Sequence, residues 1–145
     1  MGSWGIKALE SDEGLDILDF FTEYTESHSD IHLGELIDFY IAEGFLPADT
    51  TDIDYLYDKT AIALAELFTD YQQYPELEFG EEKLNITSFT GTQEAILYLI
   101  RFLEDILNEK PDEDGIREYA ELYREVEGWK EHMQELLARL KAAIP

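Results

Sequence analysis

Apolar residues in this chain return every three or four positions, and the pattern is sharpest from Glu94 to Asn108. There Ala95, Ile96, Leu99, Ile100, Leu103, Ile106 and Leu107, joined by Leu97 and Phe102, cover a broad face of one helix. So wide a stripe predicts a central helix. The same period recurs upstream. From Ser11, a good N-cap, Leu15, Ile17, Leu18, Phe20, Phe21 and Tyr24 make one apolar face. Ser27-His28-Ser29-Asp30 breaks that helix and is expected to cap the next, which carries Leu33, Leu36, Ile37, Tyr40 and Ile41 and stops at Gly44 with Pro47 beyond. A third helix is expected from about Asp49–Asp52 to Tyr71, with Ile53, Leu56, Tyr57, Ala61, Leu64, Ala65 and Phe68 inward.

Other signals punctuate these segments. Pro75, Gly80 and Glu81-Glu82 read as a loop, and Leu84, Ile86 and Phe89 suit a short extended element. Thr90 with Gln93 offers a capping box ahead of the Glu94 helix. After Pro111, the residues Ile116, Tyr119, Ala120 and Tyr123 predict a short helix. Gly128 interrupts it before Trp129, Met133, Leu136, Leu137 and Leu140 continue the period. The expected fold is therefore all-α: a compact bundle of five or six helices, with at most a short extended or β element around residues 77–89. Residues 1–145 are expected to form a single helical domain, with residues 1–10 as a docked N-terminal tail.

At 145 residues and 45% hydrophobic content, the chain can bury a substantial core despite its charge. It has no cysteine, which removes disulfides, thiolate metal sites and thiol nucleophiles. No signal-peptide pattern is evident, and no apolar run approaches the roughly 18 residues of a membrane span, so a cytoplasmic location is expected. The 34 acidic residues against 10 basic ones leave a net charge of -24. Most of it lies in residues 1–82, whose only basic side chains are Lys7 and Lys59. Such a surface repels phosphate backbones and anionic lipid, which argues against nucleic-acid and membrane binding. It would attract a basic protein partner or cations; the plainer reading is solubility alone. Oligomeric state is not legible.

The first helix holds the clearest charge pattern. Asp12, Asp16, Asp19, Glu23 and Glu26 fall at spacings of three and four, lining one face with no Lys or Arg on that helix. Each such like-charge pair costs about 0.2–0.5 kcal/mol. Glu113 with Arg117 and Glu135 with Arg139, by contrast, stand in the favourable four-residue order. A self-repelling face suits a basic partner, although a solvated helix back would carry the same residues.

Metal and catalytic patterns are weak. Asp112-Glu113-Asp114-Gly115 with Glu121 imitates a calcium loop, but puts Lys110 where the first carboxylate is needed. His28 and His32 are four apart, yet the break between them argues against a shared helix face. There is no HExxH, no GxSxG and no phosphate-cradling loop. No catalytic residue, metal ligand or cofactor is assigned, and a non-enzymatic role is favoured. A carboxylate-based divalent-cation binder or metal-dependent hydrolase, and a small-molecule binding module, are the alternatives.

Met1-Gly2-Ser3-Trp4-Gly5, then Ser11-Asp12-Glu13-Gly14-Leu15-Asp16, resembles the opening of a bacterial family, the domain-of-unknown-function family 4259. The Ala63-Leu64-Ala65-Glu66 stretch and the segment from Glu121 through Trp129 to Leu140 agree with it. The chain departs in having Tyr123 where relatives often carry a second Trp, and in being more acidic. The resemblance implies a small, mostly helical bacterial protein and implies no reaction, cofactor or catalytic residue. Physically, Gly2, Trp4 and Gly5 suit a structural anchor: an indole that buries about 150–250 Å², with glycines permitting the close approach. The overall expectation is a protein-interaction module that meets a basic partner through its acidic N-terminal half.

Overall fold

The computed structural model describes residues 12–48, 55–73, 78–79, 82–83, 87–108 and 126–144, and among these described residues it has five helices and four short strands. In chain order they are α1 (Asp12–Ser27), β1 (Asp30–His32), α2 (Leu33–Ala42), α3 (Tyr55–Gln73), β2 (Glu78–Phe79), β3 (Glu82–Lys83), β4 (Ser88–Thr90), α4 (Gln93–Leu107) and α5 (Trp129–Ala142). The fold is mostly helical, as the apolar period requires. The tail with Gly2, Trp4 and Gly5, the cap Ser11, the calcium-loop mimic and the short helix around Ile116–Tyr123 lie outside the described residues.

The core is one cluster of buried side chains to which every helix contributes. Ile17 and Phe21 come from α1, Leu33, Leu36 and Tyr40 from α2, and Trp129, Met133 and Leu140 from α5. α4 packs against α2, α3 and α5. Among the described helices the most enclosed, however, is α3: every residue from Asp58 to Thr69 is buried. The apolar stripe drew attention to α4 because α3 hides polar residues. Those are satisfied inside: Thr60 Oγ1 donates to the Leu56 carbonyl at 2.8 Å and Thr69 Oγ1 to that of Ala65 at 2.7 Å. Glu66 faces His132 of α5 at 2.7 Å.

The small sheet corrects two caps. β1 and β4 pair in parallel, Asp30 against Ser88 and His32 against Thr90. Asp30 therefore does not cap α2; His32 holds the N-cap position with extended backbone and no side-chain cap. The Asp30 carboxylate instead accepts from Thr87 Oγ1 (2.7 Å) and Ser88 Oγ (2.9 Å), tying the two strands together at their start. Thr90 is drawn into β4, so Thr92 caps α4 in its place, its Oγ1 accepting from the Ala95 amide at 3.2 Å. Phe89, at the centre of β4, packs among Phe21, Phe68 and Tyr71. Gln72 Nε2 donates to its carbonyl at 2.7 Å. β2 and β3 form a separate antiparallel pair. α2 does end at Gly44, whose φ of 83° is one that side chains rarely adopt. Gly128, at φ 88°, begins α5.

Candidate functional site

Aromatic rings hold α1 and α2 together. Tyr40 of α2 is fully buried, and its phenol donates to the Ile17 carbonyl of α1 at 2.7 Å. Around it, Phe20 contacts Phe39 (6.2 Å between ring centroids), Tyr40 (6.5 Å) and Phe45 (4.8 Å), all edge to face. Tyr24 continues the row, tilted against Phe39 at 5.2 Å. Phe20, Phe39 and Phe45 are only partly buried, so the outer edge of the row forms an aromatic seam at the surface.

Carboxylates border the seam from both helices. On α1, Asp16 and Glu23 stand one turn before and after Phe20; Glu35 of α2 stands one turn before Phe39, and Glu43, the C-cap of α2, one turn after it. All four are exposed. Glu35 lies near enough to Tyr24 to help raise its phenol above the ordinary value, an effect for which burial is the larger cause. Asp19 and Glu26 are exposed too, further round α1. Asp12 begins α1, but its side chain lies outside the described residues. The sequence pattern groups Asp16, Asp19, Glu23 and Glu26 on one face, and all four are exposed. It missed the α2 half of the border, because Glu35 and Glu43 are eight apart and no single-helix pattern links them to Phe20.

Among the described residues, ion pairs join α5 to its own acids and to those of α3 and α4. No Lys or Arg occurs between Lys7 and Lys59, and Lys59 is itself buried. Among the described residues, α1 through α4 carry no basic residue in the last turn, whereas α5 carries Arg139 and Lys141. Arg139 pairs with Glu135 at 2.5 Å, the spacing read from sequence, and approaches Asp70 at 3.8 Å; Lys141 reaches Glu104 at 3.5 Å. Among the described residues, no ion pair involves a carboxylate of α1 or α2. The negative ends of those two helices add to an already negative face.

The two histidines are not brought together. His28 stacks on Tyr24 (4.1 Å, 4°) and donates from Nδ1 to the Tyr24 carbonyl, while His32 faces Thr90. Among the described residues, no three His, Asp or Glu side chains converge in a way that could hold a metal ion. None of the described helices is long and apolar enough to cross a membrane. A cleft of about 700 Å³ opens where β1 and β4 lead into α2 and α4. Ile37, Ile41 and Ala95 help to floor it, and Glu35, Asp38 and Glu94 are among the residues around it.

The chain matches the family model described as Domain of unknown function (DUF4259) over residues 2–135, and it belongs to that family. No curated protein and no solved structure matches it significantly.

Proposed function

We propose that this member of the DUF4259 family is a non-enzymatic protein-interaction module whose acidic N-terminal half receives a basic protein. The observation that supports this best is the contrast in charge pairing. Asp16, Asp19, Glu23 and Glu26 stand exposed on one face of α1 without a cation among the described residues, whereas Asp70, Glu104 and Glu135 lie against Arg139 or Lys141 of α5. A protein that keeps a self-repelling face gives up some stability for it, and a cationic partner recovers that cost on binding. Affinity capture from the source cell, repeated across a salt series, tests the reading. The partner is expected to be basic, retained at low salt, released at high salt, and lost when the four α1 acids are changed to Asn and Gln. No partner at low salt, or one indifferent to salt, sinks it.

The cleft beside β1 and β4 supports a second reading, a small-molecule site for an organic cation with an apolar body. Its volume lies in the range of ligand pockets, and its exposed polar lining includes three carboxylates. A thermal-shift screen of aliphatic and aromatic amines checks it; a melting temperature indifferent to all of them removes it.

A further inference from the structure

We infer that the aromatic seam between α1 and α2 is the anchor point for arginines presented by a basic amphipathic helix. This rests on the reading that the acidic N-terminal half meets a basic protein, and it names the occupant and the contacts that select it.

Phe20, Phe39 and Phe45 form a continuous row of partly exposed rings, rooted on the buried Tyr40. Their packing against a fixed phenol keeps the rings in place before a partner arrives, which lowers the ordering cost of binding. An apolar seam alone would suit any greasy surface. This one is bordered by Glu23 on α1, by Glu35 on α2 and by Glu43 at the C-cap of α2, all exposed. Such a border penalises an acidic or uncharged apolar partner and disfavours a second copy of this chain, which carries -24. The side chain that satisfies both parts is arginine. Its flat guanidinium stacks on a ring while its N–H fork meets a carboxylate, whereas the lysine ammonium is a compact, strongly hydrated point charge.

Spacing points to a helix. The Phe20 and Phe39 centroids are 6.2 Å apart, and those of Phe20 and Phe45 are 4.8 Å apart. Residues one turn apart on a helix are separated by about 5–6 Å. Two arginines at i and i+4 can therefore address neighbouring rings at once, as in helix-in-groove recognition.

The test uses the full chain and two labelled amphipathic peptides of about 16 residues, roughly four turns, identical except that one carries arginine and the other lysine. Anisotropy at about 50 mM and about 300 mM salt reads the affinities. The arginine peptide is expected to bind about threefold to tenfold tighter, the range of one ring–cation contact. Phe39→Leu keeps apolar volume but removes the ring, and should bring the arginine peptide down to the lysine level with its salt dependence unchanged. Glu35→Gln, at an exposed position, should weaken both peptides without a change in melting temperature. Equal affinities that ignore Phe39→Leu would overturn the seam and leave the acidic-face reading standing. Failure of both peptides to bind at low salt would overturn both. A concentration-dependent dimer of the free chain, lost in Phe39→Leu, would give the seam to a second copy and overturn the inference.

Discussion

The Tyr40 phenol donates to the Ile17 carbonyl at 2.7 Å, from a side chain with no exposed surface. The bond joins two helices that also meet ring on ring, and it fixes the root of the aromatic seam. Burial pushes the phenol far above its ordinary value, so the group stays protonated and donating through the alkaline range. Tyr98 behaves likewise, donating to the Pro47 carbonyl at 2.8 Å.

Tyr40→Phe keeps the ring and removes the donor. It should cost about 1 kcal/mol, the net worth of one such bond, and lower the melting temperature by roughly 3 °C. Far-UV circular dichroism should be unchanged. An unaltered melt would show that the ring alone holds α1 to α2.

The Glu66–His132 contact should be worth more than the surface pairs. Glu66 is 1% exposed and His132 13%, so their 2.7 Å hydrogen bond is shielded from water. A double-mutant cycle with Glu66→Gln and His132→Ala should give a coupling above about 1 kcal/mol. The i,i+4 pair Glu135–Arg139 should give about 0.3–0.5 kcal/mol. Equal couplings would place the buried pair in the same class as the exposed one.

Asp30 carries a pH-dependent share of stability. Hydrogen bonds from Thr87 and then Ser88 hold its carboxyl below the ordinary value in the folded state. The stabilisation is therefore full above the unfolded value near about 3.9 and is lost as pH falls through the lower folded value. Asp30→Asn should melt earlier than the parent at neutral pH. The gap should narrow as the pH drops below about 4, in thermal melts followed across an acid series. A gap independent of pH would remove the carboxylate from the account.

Stability and binding should move in opposite directions at the end of α1. Glu26 sits in the last turn, where the helix end is negative and no basic residue compensates. Glu26→Lys removes a repulsion and complements the dipole, so it should stabilise the fold by about 0.3–1 kcal/mol, less at high salt. The same change should weaken capture of a basic partner. A substitution that left both unchanged would mark the α1 acids as merely solvated.

What sequence reading could see followed from local periodicity. The buried Ile17, Phe21 and Tyr24 of α1, the apolar face of α2, the stop at Gly44 and the Glu135–Arg139 pair depend on residues within a few positions of each other, and the structure contains them; Leu15 and Leu18 lie outside the described side chains. Pairing between distant segments was not legible. Asp30 and Thr90 look like helix caps until β1 meets β4, 58 positions away in register, and changes what each must do. The enclosure of α3 is hidden in the sequence because Asp58, Lys59, Glu66 and Thr69 resemble an exposed face; only the surrounding helices make them interior. The acidic half of the candidate site was visible in α1. Its aromatic half was hidden, since Phe20, Phe39 and Phe45 read as ordinary core residues and only their partial exposure distinguishes them.

The central claim is that a basic helix lands on α1 and α2. Amide chemical-shift mapping of the isotopically labelled chain, titrated with the arginine peptide at low salt, tests it most directly. Shifts are expected to concentrate from Asp16 to Glu26 and from Glu35 to Phe45 and to fade as salt rises. Shifts confined to α4 and α5, or none at low salt, would contradict it.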